Sequence, residues 1–175
     1  MWKTISSKEI FKHPRLTLIE DEVLLPNGHK TSYLKYKDNV SSGVTVIAKN
    51  SDNKILIQTE YSYPPNQILF QFPGGGVNLG EEIANGANRE LMEEAGLKAN
   101  KLELLGSYFV NNRRSTKKTF VYLATELQEE SLPGDIEEEI ESFWFSEDEV
   151  TKMIQNGDII NVNLLAAWAL YKSKL

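Results

Sequence analysis

From Leu16 to Tyr36 apolar and polar residues alternate loosely, and the alternation pivots on Pro26-Asn27-Gly28. Asn and Gly tolerate positive φ, so the pattern predicts a β-hairpin. Val44–Ala48 is an apolar run of strand length; Asp52-Asn53 predicts a turn, and Lys54–Gln58 a returning strand. Tyr61–Asn66 contains Pro64 and Pro65, which cannot sit inside a ladder, so a loop is expected there. Ile68–Phe72 predicts a short strand ending at Pro73 and three glycines. The period then changes. Ile83, Ala87, Leu91 and Ala95 recur every fourth residue, predicting a helix from about Glu82 to Ala95 with Gly96 just past its end. Gly86 inside that helix costs ~1 kcal/mol relative to alanine, which implies close packing against its face. Two further strands are expected near Leu102–Val110 and Thr119–Ala124, separated by the polar segment 111–118. Glu141–Phe145 reads as another strand, followed by a segment Glu147–Asn156 and a last helix from about Val162 to Lys172. There is no internal repeat and no low-complexity tract. Strands around one central and one terminal helix predict an α+β layered domain.

Composition narrows the class. The 175 residues suit one globular domain with a small appendage, and the apolar and charged contents, 41% and 25%, are those of an ordinary folded protein. No cysteine is present, which excludes disulfides, zinc–thiolate sites and a cysteine nucleophile. No segment reaches the apolar length of a signal peptide or a membrane span, so a cytoplasmic protein without a membrane partner is the expectation. The net charge is −6, yet residues 128–141 alone hold seven acids and no base, so the acidity is local. An acidic chain without a basic stripe argues against nucleic acid as a partner.

The chemistry concentrates in FPGGGVNLGEEIANGANRELMEEAGL, residues 72–97. On a helix Glu90 and Glu94 stand one above the other with Glu93 beside them, where like charges repel. They also lie toward the helix C-terminus, the negative end of the dipole. Only Arg89 is adjacent to offset them. A solvated acidic face is the ordinary reading of such a cluster. Here a glycine-rich loop arrives just before it, and hard oxygen ligands that are unfavourable alone become favourable around Mg²⁺ (or Mn²⁺). A divalent-metal site beside a phosphate-bearing substrate is therefore expected.

Gly75, Glu81, Arg89, Glu90, Leu91, Glu93, Glu94, Gly96 and Leu97 match the Nudix box G-x5-E-x7-R-E-U-x-E-E-x-G-U without gap or substitution, U being a bulky aliphatic residue. The chain thus resembles the Nudix hydrolase superfamily. Thr59–Pro64, Phe70–Gly75, Leu105–Tyr108, Tyr122–Leu127, Glu137–Ser146 and Gly157-Asp158-Ile159 are similar to its ADP-ribose pyrophosphatase branch, so that the resemblance covers about residues 16–172. It implies the Nudix fold, mixed β-sheets sandwiched between helices (α/β/α), with an N-terminal antiparallel strand region. The implied domains are 1–41, a strand region that helps form an intertwined homodimer, and 42–175, the Nudix hydrolase domain.

By the same resemblance Glu90 and Glu94 are the principal Mg²⁺ ligands, with Glu93 sharing metal or water and the Gly74 carbonyl adding a ligand. Arg89 pairs with Glu81 and holds the loop in shape, a direct phosphate contact being the alternative. Glu138 is the closest match to the branch's general base, with Glu137 and Glu139 open as alternatives. The branch usually carries a proline past the box; Val110–Ser115 has none, and Arg113 and Arg114 there contact either substrate or only solvent. Tyr61 and Tyr63 are candidates to stack on a base, or to pack. His13 and His29 are the only histidines, so a Ser–His–Asp triad is not expected. Trp2, Trp144 and Trp168 read as packing residues. The expected activity is Mg²⁺-dependent hydrolysis of the diphosphate bond of a nucleoside diphosphate-linked small molecule, ADP-ribose or a nucleotide sugar. The alternatives are a housecleaning hydrolase of modified nucleoside triphosphates and a non-catalytic nucleotide-binding regulatory module.

Overall fold

The computed structural model describes residues 1–37 and 39–174. The chain forms two compact units, one of Met1–Asn39 with Asn111–Lys117, the other of Val40–Val110 and the chain from Lys118 on. The polar segment 111–117 joins the N-terminal strands in the first unit.

The first unit is an antiparallel meander of β1 (Lys3–His13), β2 (Leu16–Leu24) and β3 (Lys30–Tyr36), in that order. The expected hairpin joins β2 to β3, with Gly28 at φ 82° and its amide donating to the Leu25 carbonyl. On β2, Thr17, Asp21 and Val23 are buried on one face, with Ile19 between them half-buried. Asp21 is a buried carboxylate. Hydrogen bonds from Lys35, then Ser7, hold it below its usual range against the opposing effect of burial. β1 shows no alternation because every one of its residues is exposed. The Tyr36 amide donates to the Arg114 carbonyl, and the Arg114 guanidinium lies 5.4 Å from the Tyr33 ring centroid.

The second unit has two sheets. One orders β7 (Gly76–Val77), β4 (Ser42–Ala48), β9 (Lys118–Glu129) and β8 (Leu97–Phe109), with β4 and β9 parallel. The other orders β10 (Ile140–Phe145), β5 (Ile55–Ser62) and β6 (Gln67–Gln71), all antiparallel. Every residue of β4 is buried. Val44, Val46 and Ala48 join Leu56, Val77 and the α1 (Ile83–Ala95) residues Ala87 and Leu91 in one core. Ile47 joins Ile55 and Ile57 in another, with Val150 of α2 (Glu147–Asn156) and Leu164, Ala167, Trp168 and Tyr171 of α3 (Val162–Lys172). The sheets are thus sandwiched between helices. Burial of each Leu or Ile contributes roughly 1.5–3 kcal/mol to this arrangement.

Three boundaries differ from the sequence expectation. β5 runs through Tyr61 and Ser62, and the prolines are confined to the turn that follows. β8 starts at Leu97 rather than 102, and β9 continues to Glu129. Their added residues face solvent in part, so the ladder rather than an apolar stripe defines them. Among the described residues no helix is long and apolar enough to cross a membrane.

Candidate catalytic site

The glycine loop is bound to β4: the Val44 amide donates to the Gly75 carbonyl at 2.9 Å, and the Val46 amide to the Pro73 carbonyl at 2.8 Å. The approach is close enough that a Cβ on Gly74 (φ 152°) would stand 2.2 Å from the Val44 carbonyl oxygen. Glycine is required there. At Gly75 the missing Cβ makes room for a side chain instead, since it would lie 2.5 Å from Oε2 and 2.8 Å from Oε1 of Glu90.

α1 supplies the acids. It ends on Gly96, whose φ of 65° lets its amide return to the Leu91 carbonyl. Arg89 organises the first half of the cluster. Its Nε and Nη2 donate to the two Glu81 oxygens at 3.1 and 3.2 Å, Nη2 also to the Gly76 carbonyl at 2.7 Å, and Nη1 to Glu90 and Glu93 at 2.9 and 2.8 Å. The Glu81 carboxyl is held below its usual range, chiefly by Arg89. Burial raises Glu90 above its usual range, with Arg89 opposing. Glu94 lies beyond the arginine's reach. Its Oε2 accepts from the Gly74 amide at 3.1 Å. Burial pushes its carboxyl up to about 8, and Glu90, Glu138 and Glu60 push the same way.

The acidic loop meets this helix end through its backbone. The Leu132 amide donates to the Met92 carbonyl at 3.2 Å, and the Gly134 backbone runs against the Glu93 carbonyl, which would stand 3.1 Å from an added Cβ. A cavity of about 160 Å³ opens between them, lined by Glu93, Glu94, Gly134, Asp135, Glu138 and Ile140. Glu138 is exposed at the loop surface, yet partial burial raises its carboxyl, with Glu60, Asp135 and Glu93 adding to the effect. Beside it a groove of about 260 Å³ is lined by Thr59, Glu60, Tyr61, Ile68, Glu139, Ile140 and Glu141.

The structure therefore brings Gly74, Arg89, Glu90, Glu93 and Glu94 together and sets Glu138 at the rim of the same cavity. Gly74 enters through its amide. Glu139 lies in the neighbouring groove, and the Glu137 amide caps onto Asp135. Tyr61 lines the groove, its hydroxyl bound to Asn66, whereas Tyr63 stands 82% exposed in the turn. Arg113 and Arg114 belong to the N-terminal unit. Sequence reasoning missed Glu60. The signal was period two along β5: Leu56 and Gln58 are buried, and the next residue on that face is Glu60, to which Gln71 donates at 2.7 Å.

The donor set is hard oxygen throughout, the Glu90 carboxylate fills the space at Gly75, and the raised Glu94 carboxyl describes a site short of positive charge. These residues fit a divalent cation. Among the described residues no three acidic groups close around one point, since Glu90 and Glu93 are turned to Arg89. Ligands from substrate or solvent would complete the shell, as is usual for Mg²⁺.

Comparison with known proteins gives a consistent picture. The family model of the NUDIX domain matches residues 40–167, and that of the nucleoside diphosphate sugar hydrolase N-terminal domain matches residues 2–33. The ADP-ribose pyrophosphatase of Bacillus subtilis (strain 168) is 28% identical over 161 residues, covering 90% of this chain and 85% of that protein. The ADP compounds hydrolase NudE of Escherichia coli (strain K12) is 30% identical over 133 residues, covering 75% of this chain and 71% of that one. A crystal structure of an ADP compounds hydrolase superposes with a TM-score of 0.91 at 21% identity, over 99% of this chain and 94% of that chain.

Proposed function

This chain belongs to the NUDIX domain family, and on that premise we propose that it is a Mg²⁺- or Mn²⁺-dependent hydrolase of nucleoside diphosphate derivatives, with ADP-ribose or a nucleotide sugar as substrate. The observation that carries this reading is Glu94: a half-buried carboxyl bonded to the Gly74 amide, with Glu60, Glu90 and Glu138 around it and, among the described residues, no cation paired with it. Such a group is unfavourable in isolation and favourable beside a metal–diphosphate.

When bound, the metal would be held by Glu90, Glu94 and the glycine loop, and would neutralise the diphosphate and acidify a water. The remaining work falls to the chain's own groups. Arg89 fixes the rotamers of Glu90 and Glu93 while tying the loop to Glu81. Glu138, across the cavity, accepts the proton of the attacking water; its raised carboxyl keeps it closer to the operating pH than an ordinary glutamate. Water oxygen bonds to one phosphorus, the bridging P–O bond breaks, and the bridging oxygen leaves with the other phosphate. The products from ADP-ribose are a nucleoside monophosphate and a sugar phosphate.

Relatives named for ADP-ribose and ADP compounds, and the N-terminal match to nucleoside diphosphate sugar hydrolases, favour a diphosphate over a triphosphate substrate. A homodimer formed through the N-terminal sheet goes with this reading. β1 is an edge strand with Ile5, Ile10 and Phe11 exposed. A hydrolysis screen over ADP-ribose, nucleotide sugars, dinucleotides and triphosphates with Mg²⁺ tests the assignment, with monophosphate release expected from the first two. Turnover of triphosphates alone would replace it with the housecleaning reading, and no turnover of any with the binding module. Light scattering at micromolar concentration should give a dimer; a monomer removes the assembly.

A further inference from the structure

The last turn of a helix leaves carbonyls without partners, and each needs a donor from outside. At the end of α1 the Leu91 carbonyl is met by the Gly96 amide and the Met92 carbonyl by the Leu132 amide. The Glu94 carbonyl is met by a side chain: Gln58 Nε2 donates to it at 3.1 Å. Gln58 is fully buried in β5, the central strand of its sheet, on the face that Leu56 packs toward α1. The same Nε2 reaches Oγ of Ser142, its register partner on β10, at 3.3 Å.

The amide stands there at a disadvantage. Its Oε1 is buried and, among the described residues, has no hydrogen-bond partner, while Ile55, Leu56 and Ile57 before it are all apolar and fully packed. An unsatisfied buried acceptor destabilises a fold, and an apolar side chain of that shape would avoid it. Turning the amide over would offer Oε1 to the Ser142 hydroxyl, but would set it against the Glu94 carbonyl oxygen. The Glu94 carbonyl therefore dictates the orientation that is seen.

We propose that Gln58 is a positioning residue: by holding the Glu94 main chain it fixes the Glu94 carboxylate at the Gly74 amide and so sets the metal affinity of the site. This rests on the functional reading above. The bond acts at the residue whose side chain binds the glycine loop, and its second arm reaches the strand that follows the acidic loop. One buried amide thus ties the carriers of Glu94 and Glu138 together.

The test is Gln58→Met, similar in volume but without donors. Mn²⁺ titration followed by electron paramagnetic resonance should show affinity weakened by ~10-fold, the lower end of what loss of an outer-shell partner does to a metal site. At saturating metal, kcat should fall by a similar ~10-fold with KM for the nucleotide little changed. A purely structural role would lower Tm and leave Mn²⁺ affinity and kcat at 25 °C as in the wild type; that result overturns the proposal. Should Gln58→Met not fold, Gln58→Asn keeps the amide but withdraws it by one methylene, and unchanged Mn²⁺ affinity there overturns it equally. The two readings fail separately. Wild-type protein without turnover overturns the functional assignment, whereas active wild type with an unaltered Gln58 variant overturns only the role of Gln58.

Discussion

Two stretches hold much of this chain's acid, and on paper they look alike. Apart from the exposed Glu82 at the helix N-cap, Glu81, Glu90, Glu93 and Glu94 lie on and just before α1; Glu129, Glu130, Asp135, Glu137, Glu138, Glu139 and Glu141 lie on and around the loop before β10. The first group is withdrawn from water and directed. Glu90 is 8% exposed, three of the four bond Arg89, and Glu94 bonds a loop amide. The second group is exposed throughout, and Glu130 pairs with Lys98 at the surface. Charge density does not separate the two. Burial and the direction of each carboxylate do, because only a desolvated acid exerts a strong field on a neighbour or on a bound cation. The Glu138 carboxyl is raised, first by partial burial and then by Glu60, Asp135 and Glu93, and so it behaves as a member of the first group.

That division can be broken at its strongest point. Glu94→Gln keeps size and removes a charge; kcat should fall by at least ~10²-fold, toward the ~10³-fold seen when an electrostatic contact to a transition state is lost. Near wild-type activity in a folded variant would dissolve the distinction. Next, Glu138→Gln should lower kcat by ~10²-fold with little change in KM, the scale of a lost general base. Glu137→Gln and Glu139→Gln, as ordinary surface changes, should stay within about twofold. Equal losses at all three would mean that the loop acts through its charge as a whole. A smaller effect is expected at Gly75→Ala. The added Cβ collides with the Glu90 carboxylate, a flexible end that can move aside, so the fold should survive while Mn²⁺ affinity drops ~10-fold. An unchanged affinity would remove Glu90 from the metal site.

The mildest test is thermodynamic. The Glu94 carboxyl in the metal-free protein is raised from 4.5 to about 8. Between those values the folded state binds more proton than the unfolded chain, so metal-free stability should fall as pH rises through that window. Thermal unfolding at pH 5.5 and pH 8 checks this. Glu94→Gln should flatten the dependence, and excess Mn²⁺ should reverse the loss at pH 8. A metal-free protein as stable at pH 8 as at pH 5.5 would show that Glu94 is not desolvated.

Much of this was legible in the sequence. Pro26-Asn27-Gly28 announced the β2–β3 hairpin because few residues accept positive φ, and the fourfold recurrence from Ile83 to Ala95 announced α1. The glycine–glutamate spacing pointed to acids that the structure gathers beside the glycine loop, since that loop and α1 are contiguous in the chain. What stayed hidden depends on neighbours remote in sequence. β1 carries no inside–outside pattern because none of its residues is buried. Tyr61-Ser62 read as loop because of the prolines after them, although β6 pairs with both. Glu60 and Gln58 looked like ordinary polar positions; only the packing of β5 beneath α1 turns them toward the glutamates. Arg113 and Arg114 looked like a loop tip beside the box, whereas residues 111–117 cluster with the N-terminal strands.

The parallel pairing of β4 with β9 bears on how this chain acquires its structure in time. Gly43 pairs with Thr119 and Ala48 with Ala124, so the inner strand of the larger sheet waits for a partner from far along the chain. Contacts this non-local slow folding, because the intervening loop must close before they form. During synthesis Val44, Val46 and Ile47 emerge early, and β4 has only β7 and the glycine loop on one edge until β9 is made to cover the other. A nascent or truncated chain ending before Lys118 therefore presents an apolar, unpaired strand to its neighbours. Slower synthesis between β4 and β9 lengthens that exposure and should lower yield, and C-terminal truncations short of β9 should be recovered as aggregates.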